Sequence, residues 1–337
     1  MKQRLALTLG LLLMSCFTPP VFARITPQQI AIVINTQDGD SREIAEYYRS
    51  KRGIPEQNLI EISMPARDAI GEKMFDRVYR QVIEQAPASV QYYALAWSRP
   101  YRVDCMSVTS AFAFGFDKKF CAQGCKPTQL SNYYNSDSAL PKDELNMRPT
   151  MMLAGSSLQQ VYAMIDRGVR SDATKPDATA YLMNTTDKAR NVRSRRYPVI
   201  RELLADKIHI QQVDGDVLEN RDDVMFYFTG KVKVEAVDSN HYLPGAIADH
   251  LTSTGGRLFG GSQMSILRWL DAGATGSYGT VVEPCAFTQK FPNPGIVIER
   301  YTDGESLIEA YWKSVAWPGQ GVFVGELMAS PYADAKQ

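Results

Sequence analysis

The sequence predicts an α/β protein built around a mainly parallel sheet, and three observations predict it. Short apolar runs rich in β-branched and aromatic residues recur along the chain, with helical patterns between them. Several of these runs, IAIVIN and VQYYALAW among them, are apolar on both parities, as strands covered on both faces are. Between Met225 and Cys285 the alternation fills the chain with little left over. Parallel neighbours need crossover connections of this kind, and ligands of such sheets sit beyond the carboxyl ends of the strands.

The chain opens with a segment outside the fold. Lys2 and Arg4 give a positive start, and Leu5 to Met14 give an apolar core too short to span a bilayer. Val21, Phe22 and Ala23 make a small-residue cleavage site, so 1–23 reads as a secretory signal peptide and the product is expected in the periplasm or outside the cell. A rival reading takes Leu13, Met14, Ser15 and Cys16 as a lipoprotein signal with a lipid anchor on Cys16. No later apolar run is long enough to cross a membrane. Basic and acidic residues number 37 each, and loss of Lys2 and Arg4 leaves 35 against 37, which excludes the basic footprint of a nucleic-acid binder.

The remainder, 24–337, reads as one α/β domain. Ile30 to Asn35 is a buried strand, and a polar loop leads to Asp40 or Ser41 as cap of a helix over 41–52, with Glu43 placed for a capping box. Gly53 and Pro55 stop it. Leu59 to Met64 is a strand, Phe75 to Gln85 a helix, and Val90 to Trp97 a strand that ends in Ser98, Arg99, Pro100, Tyr101 and Arg102. From about 103 to 149 the periodicity fades and three cysteines appear, which marks an insertion over the carboxyl edge of the sheet. Met151 to Ala154 is a short strand, and Ser156 or Ser157 caps a helix through Ile165. Ala178 to Asn184 is a strand and Tyr197 to Ala205 a helix. Met225 to Gly230 is a strand; Pro244 opens a helix over 244–252; Arg257 to Gly261 is a strand; Ser262 caps a helix over 262–272 with Ile266, Leu267 and Leu270 inward. The strand 275–281 ends in Val282, Glu283, Pro284 and Cys285. A loop rich in Pro and Phe, a helix from Ser306 to Ala316 and the run Gly321 to Glu326 complete the chain. No internal repeat shows.

In an exported protein, Cys105, Cys121, Cys125 and Cys285 are expected to form two disulfides, one of them within the stretch from Cys105 to Cys125; three pairings are open. The strand ends collect one polar rim. Asp38, Arg99, Arg102, Asp187, Gln263 and Glu283 are its expected ligand contacts, for a small molecule, a peptide or an envelope component. Four residues carry catalytic alternatives. Lys231 and Ser262 are the types used in Ser-Lys hydrolysis, Cys285 is a thiol nucleophile where unpaired, and His250, beside Asp249, is a satisfied interface histidine or else a general base or ligand. No cofactor is implied, since neither a GxGxxG nor a phosphate loop occurs. No metal is implied either, because Asp40 of the Asp38/Asp40 pair serves as a cap.

Three runs carry a resemblance: INTQDGDSREIAEYYRSKRGIPEQNLI, LPGAIADHLTSTGGRLFGGSQMSILRWLDAGATGSYGTVVEPC and IEAYWKSVAWPGQGVFVGE. Together they resemble an uncharacterised family of exported bacterial proteins. More distantly, FYFTGKV, RLFGGSQ and AGATGSYGT resemble the core of caspase-like cysteine peptidases of the gingipain kind. That resemblance implies a caspase-like three-layer sandwich. It also implies loss of peptidase chemistry, because Lys231 stands at the histidine position and Gly261 or Ser262 at the cysteine position.

Overall fold

The computed structural model describes residues 24–335; the segment expected to be a signal peptide, 1–23 with Cys16, lies outside them. The elements in chain order are β1 (Ile30–Asn35), α1 (Ser41–Arg52), β2 (Leu59–Ile62), β3 (Ala69–Ile70), α2 (Glu72–Gln85), β4 (Tyr92–Leu95), β5 (Arg102–Val103), β6 (Met106–Ser107) and α3 (Val108–Phe114). There follow α4 (Pro141–Leu145), β7 (Thr150–Met152), α5 (Leu158–Ser171), β8 (Thr179–Asn184), α6 (Tyr197–Leu203), β9 (His209–Asp214), β10 (Val224–Thr229) and β11 (Tyr242–His250). The last are α7 (Leu267–Asp271), β12 (Gly276–Thr280), α8 (Pro294–Thr302), α9 (Leu307–Ser314) and β13 (Gly321–Gly325).

Ten strands form one sheet in the order β2-β1-β4-β7-β13-β12-β11-β10-β8-β9, and β3, β5 and β6 form a small second sheet. The long ladders of the large sheet are parallel, and β12 pairs antiparallel with β13. Val324 and Met152 make one isolated bridge of parallel pattern between β13 and β7. The ends of the elements give the overall direction. Glu326, just past β13, meets Tyr48 and Arg52 near the end of α1, which is the amino end of β1. Gly245 near the start of β11 lies against Ser171 at the end of α5, and Gly276 at the start of β12 lies against Leu307. The starts of the strands therefore share one edge, and β13 runs against the rest.

Helices cover both faces. On one, α1 packs beside α5 and α5 beside α7. On the other, the Phe75–Phe112, Phe114–Trp312 and Trp312–Phe323 contacts tie α2, α3 and α9 together over β13, α8 packs on α9, and Ile200 of α6 abuts Gly295 of α8. The apolar patterning explains the cover. Ile44, Ala45 and Tyr48 form the buried stripe of α1, and Phe75, Val78 and Val82 that of α2. The insertion is more than surface decoration, since α3 is buried over most of its length and packs on β7 and β13.

Several expected elements differ. Residues 244–252 are not a helix: 242–250 is β11, fully inside the sheet between β10 and β12. Its pairing with β10 jumps from Val224–Tyr242 to Phe226–Ile247, and this bulge houses Pro244 and Gly245 (φ 91°), so the missing proline N–H costs no ladder bond. Residues 257–261 are an irregular loop, because both flanks of β11 and β12 are already occupied. The helix expected over 262–272 shrinks to α7, although Ile266, Leu267 and Leu270 are buried as foreseen. Ser262 is exposed and caps nothing, and the Asp40 side chain makes no cap either; Asp38 Oδ1 instead accepts from the Asp40 N–H at 3.1 Å. The edge strand β9, with only Ile210 fully buried, and α8, opened by Asn293 and Pro294, went unforeseen.

A repeat is also present. Read inward from one outer edge of the sheet, β1, β2, β4 and β7 are laid down in the order 2-1-3-4, and β8, β9, β10 and β11 are laid down the same way inward from the opposite edge. The crossover helices α1 and α6 lie on opposite faces, so the halves relate as by a two-fold axis in the sheet along the strands. Each first strand ends in the same tetrad, Asn35-Thr36-Gln37-Asp38 and Asn184-Thr185-Thr186-Asp187.

Candidate functional site

An order of 2-1-3-4 reverses direction between its first and third strands, and the carboxyl ends there diverge into a crevice. This sheet has two such points on one edge, between β1 and β4 and between β8 and β10.

The first is open. A cavity of about 310 Å³ is lined by Gln37, Asp38, Ser98, Arg99, Ser156 and Phe259, with Ile44, Leu158 and Val161 as apolar wall. Its loops are fixed from below. Ser41 Oγ accepts the Asn35 N–H at 2.9 Å, and Asn35 Oδ1 accepts from Gln37 and Met64 N–H at 3.3 and 3.1 Å, which pins the strand-to-helix turn. Asp38 is half-buried, and burial holds its carboxyl above the usual carboxylate range. Arg99 donates from Nε to Asp68 Oδ1 at 2.7 Å and lies 3.8 Å above the Phe259 ring. Ser98 Oγ bridges the N–H and the carbonyl of Gly155, both at 3.2 Å. Position 155 must be glycine, since a Cβ there would sit 2.9 Å from Val161 Cγ2 and 3.1 Å from the Ser157 carbonyl. Ser157 then caps α5 through the Gln160 N–H, and Ser156 Oγ donates to Asp271 Oδ1 at 2.6 Å.

The second is filled by the chain itself. Thr185 Oγ1 donates to the Gly230 carbonyl at 2.8 Å, and a Cβ on Gly230 would lie 2.1 Å from the Arg190 carbonyl. Arg193 donates from Nη2 to the Thr229 carbonyl, and the same nitrogen lies 2.7 Å from Asp249 Oδ1. Arg190 Nε reaches Thr252 Oγ1 at 3.2 Å.

Of the expected ligand contacts, the open crevice unites Asp38 and Arg99. The others have internal partners or lie apart. Asp187 accepts from the Arg190 N–H at 3.2 Å and pairs with its guanidinium at 3.0 Å. Gln263 Oε1 accepts from Thr252 Oγ1, Thr254 N and Thr254 Oγ1 at 2.7–2.9 Å and so pins the loop after β11. Glu283 is buried and accepts the Cys285 and Ala286 N–H groups in the turn after β12. Arg102 lies in β5, outside the cavity wall.

The catalytic candidates do not assemble. Lys231 pairs with Asp216 at 3.4 Å, and among the described residues no hydrogen bond joins it to Ser262. Cys285 is bonded to Cys125, and Cys105 to Cys121, so Cys285 offers no free thiol. His250 is a satisfied core residue: Nδ1 accepts the Trp269 indole N–H at 2.9 Å and Nε2 donates to the Met264 carbonyl at 3.0 Å. Burial pushes its pKa down to about 4. The folded state thus holds a neutral ring where the unfolded chain, with an ordinary pKa near 6.5, takes up a proton. The stability this contributes is fully present above about pH 6.5 and is lost as the pH falls through about 4. NMR of the imidazole nitrogens at pH 5.5 should show a neutral Nε2–H tautomer; a charged ring there would contradict the burial argument.

Two contributors escaped the sequence reading. Phe259 was placed in a strand, and it reaches the crevice from the loop of the other half. Asp68, which orients Arg99, follows the second strand and carries no local signal. Among the described residues no group of three His, Cys, Asp or Glu side chains is placed to hold a metal, and no helix is long and apolar enough to cross a membrane. Comparison of the chain with protein-family models, with curated proteins and with solved structures finds no match.

Proposed function

We propose that the chain is an exported, non-peptidase relative of the caspase-like proteins that binds a ligand in the crevice between β1 and β4. One observation carries this reading. Of two crevices built to the same plan, one is packed shut by Arg190 and Arg193, while the other keeps an open, polar-lined cavity with Asp38 and Arg99 in its wall. Two disulfides suit an oxidising compartment, which supports export. In the caspase-like reading Lys231, just past β10, stands at the histidine position and Gly261 or Ser262 at the cysteine position, although 257–261 is a loop and not the strand that the resemblance implies. No cysteine stands there, so thiol proteolysis forms no part of the proposal.

Soaking crystals of the protein with a mixture of small polar fragments tests the site. Bound fragments are expected between residues 37–40, 98–99, 155–158 and 259. Fragments confined to other surfaces, with this crevice occupied by water alone, would overturn the reading.

A further inference from the structure

The open crevice holds two opposite charges that do not satisfy each other. Arg99 spends Nε on Asp68, and its ring-facing side is covered by Phe259 at 3.8 Å. Among the described residues its Nη1 and Nη2 groups make no hydrogen bond, and their N–H donors lie in the guanidinium plane, which leaves an in-plane fork for an acceptor. Asp38 sits in the same wall. One of its oxygens accepts the Asp40 N–H, and no cation lies within ion-pair distance of either oxygen among the described residues. Burial and the neighbouring Asp40 carboxylate work against its charge, and backbone N–H groups rather than a cation oppose them, which leaves a site that an incoming cation relieves. Asp40, exposed on the cavity wall, adds negative charge on that side, whereas α5 presents its amino end beside Ser156 and Ser157. Ile44, Leu158 and Val161 lie in the wall as an apolar patch. The volume, about 310 Å³, suits a ligand the size of an amino acid or a dipeptide.

We propose that the crevice takes a short zwitterion with a small apolar side chain, its carboxylate held by the Nη edge of Arg99 and its ammonium by Asp38. This rests on the ligand-binding reading above. A planar carboxylate matches the two free guanidinium nitrogens, and an ammonium supplies the cation that Asp38 lacks. A purely anionic ligand would leave the half-buried Asp38 without a cation, and a purely cationic one would waste the preset Arg99 fork.

Titration calorimetry and amide NMR on the purified protein, with L-leucine and L-alanyl-L-leucine as probes, decide it. The two probes distinguish a free amino acid from a peptide source. At least one is expected to bind with shifts at residues 37–40, 98–99 and 155–158. N-acetylation of that probe, or conversion of its carboxylate to the amide, should weaken binding at least ten-fold. Arg99→Met should abolish the preference for the free carboxylate, and Asp38→Asn the preference for the free amine. The two side chains are partly exposed, so both variants are expected to fold, with circular dichroism as the check. Failure of both probes and of their blocked forms, in a protein whose crystals do accept fragments in the crevice, would overturn the zwitterion assignment and leave the binding reading standing. Equal binding of free and blocked probes would overturn it as well. An empty crevice in the fragment experiment would remove both.

Discussion

Replacing Arg193 by methionine is expected to cost about 3–5 kcal/mol of stability at neutral pH, the range for stripping one partner from a buried ion pair. Arg193 and Asp249 are both almost wholly buried, and their charged atoms lie 2.7 Å apart. The guanidinium also donates to the Thr229 and Pro292 carbonyls, so it closes the space between β8 and β10. Asp249 stands near the end of β11, and among the described residues no second cation pairs with it. Burial pushes its carboxyl up, and Arg193 opposes that push. Without Arg193 the carboxyl must take a proton to stay inside, so the cost should shrink as the pH falls. Urea unfolding at pH 7.5 and pH 5.5 checks both statements. The double variant Arg193→Met/Asp249→Leu should recover much of the loss, because no lone charge is then buried. A single variant that unfolds within 1 kcal/mol of the parent at pH 7.5 would show that the pair is wetter than its burial indicates.

Removal of the Cys125–Cys285 disulfide, by serine at both positions, is expected to cost about 2–5 kcal/mol. The bond closes a loop across a sequence separation of 160 residues, and a long closed loop restricts the unfolded chain strongly. It also fastens the insertion to the turn that holds Glu283 and Lys290, two buried charges 3.8 Å apart. The shift in denaturant midpoint, with Cys105–Cys121 left intact, measures the effect. A loss below about half a kcal/mol would mean that α3 and its packing on β7 and β13 hold the insertion without help.

Much of the sheet was legible, for physical reasons that differ by strand. The strands β1, β4, β8 and β10 read clearly, because continuous apolar runs flanked by turn residues have few other fates. The strand β11 did not. Pro244 at the head of a nine-residue run looks like a helix start, and the bulge that makes it a strand residue depends on β10, far away in sequence. The strand β9 was silent because an edge strand with one buried side chain has no apolar signature. The repeat was legible in the two Asn-Thr-x-Asp tetrads, but four residues gain weight only once both are seen to end a first strand. The rule that ligands sit past strand ends pointed to Asp38 and Arg99, which both line the open cavity. It could not separate them from Asp187, Lys231 and Glu283, because sequence shows which residues reach the rim and not which of them are already paired there.

The place of β13 has a consequence for synthesis. It is the last strand in the sequence and sits in the middle of the sheet, between β7 and β12. A chain that emerges amino end first therefore completes the strands of both halves before the one that joins them. Until Gly321 to Gly325 arrive, β7 and β12 each present an unpaired backbone edge, buried in the finished protein and sticky before then. The contact of β13 with β7 joins Val324 to Met152, about half the chain apart, so the closing step is slow by its topology. During that interval the incomplete chain depends most on being kept apart from its own copies.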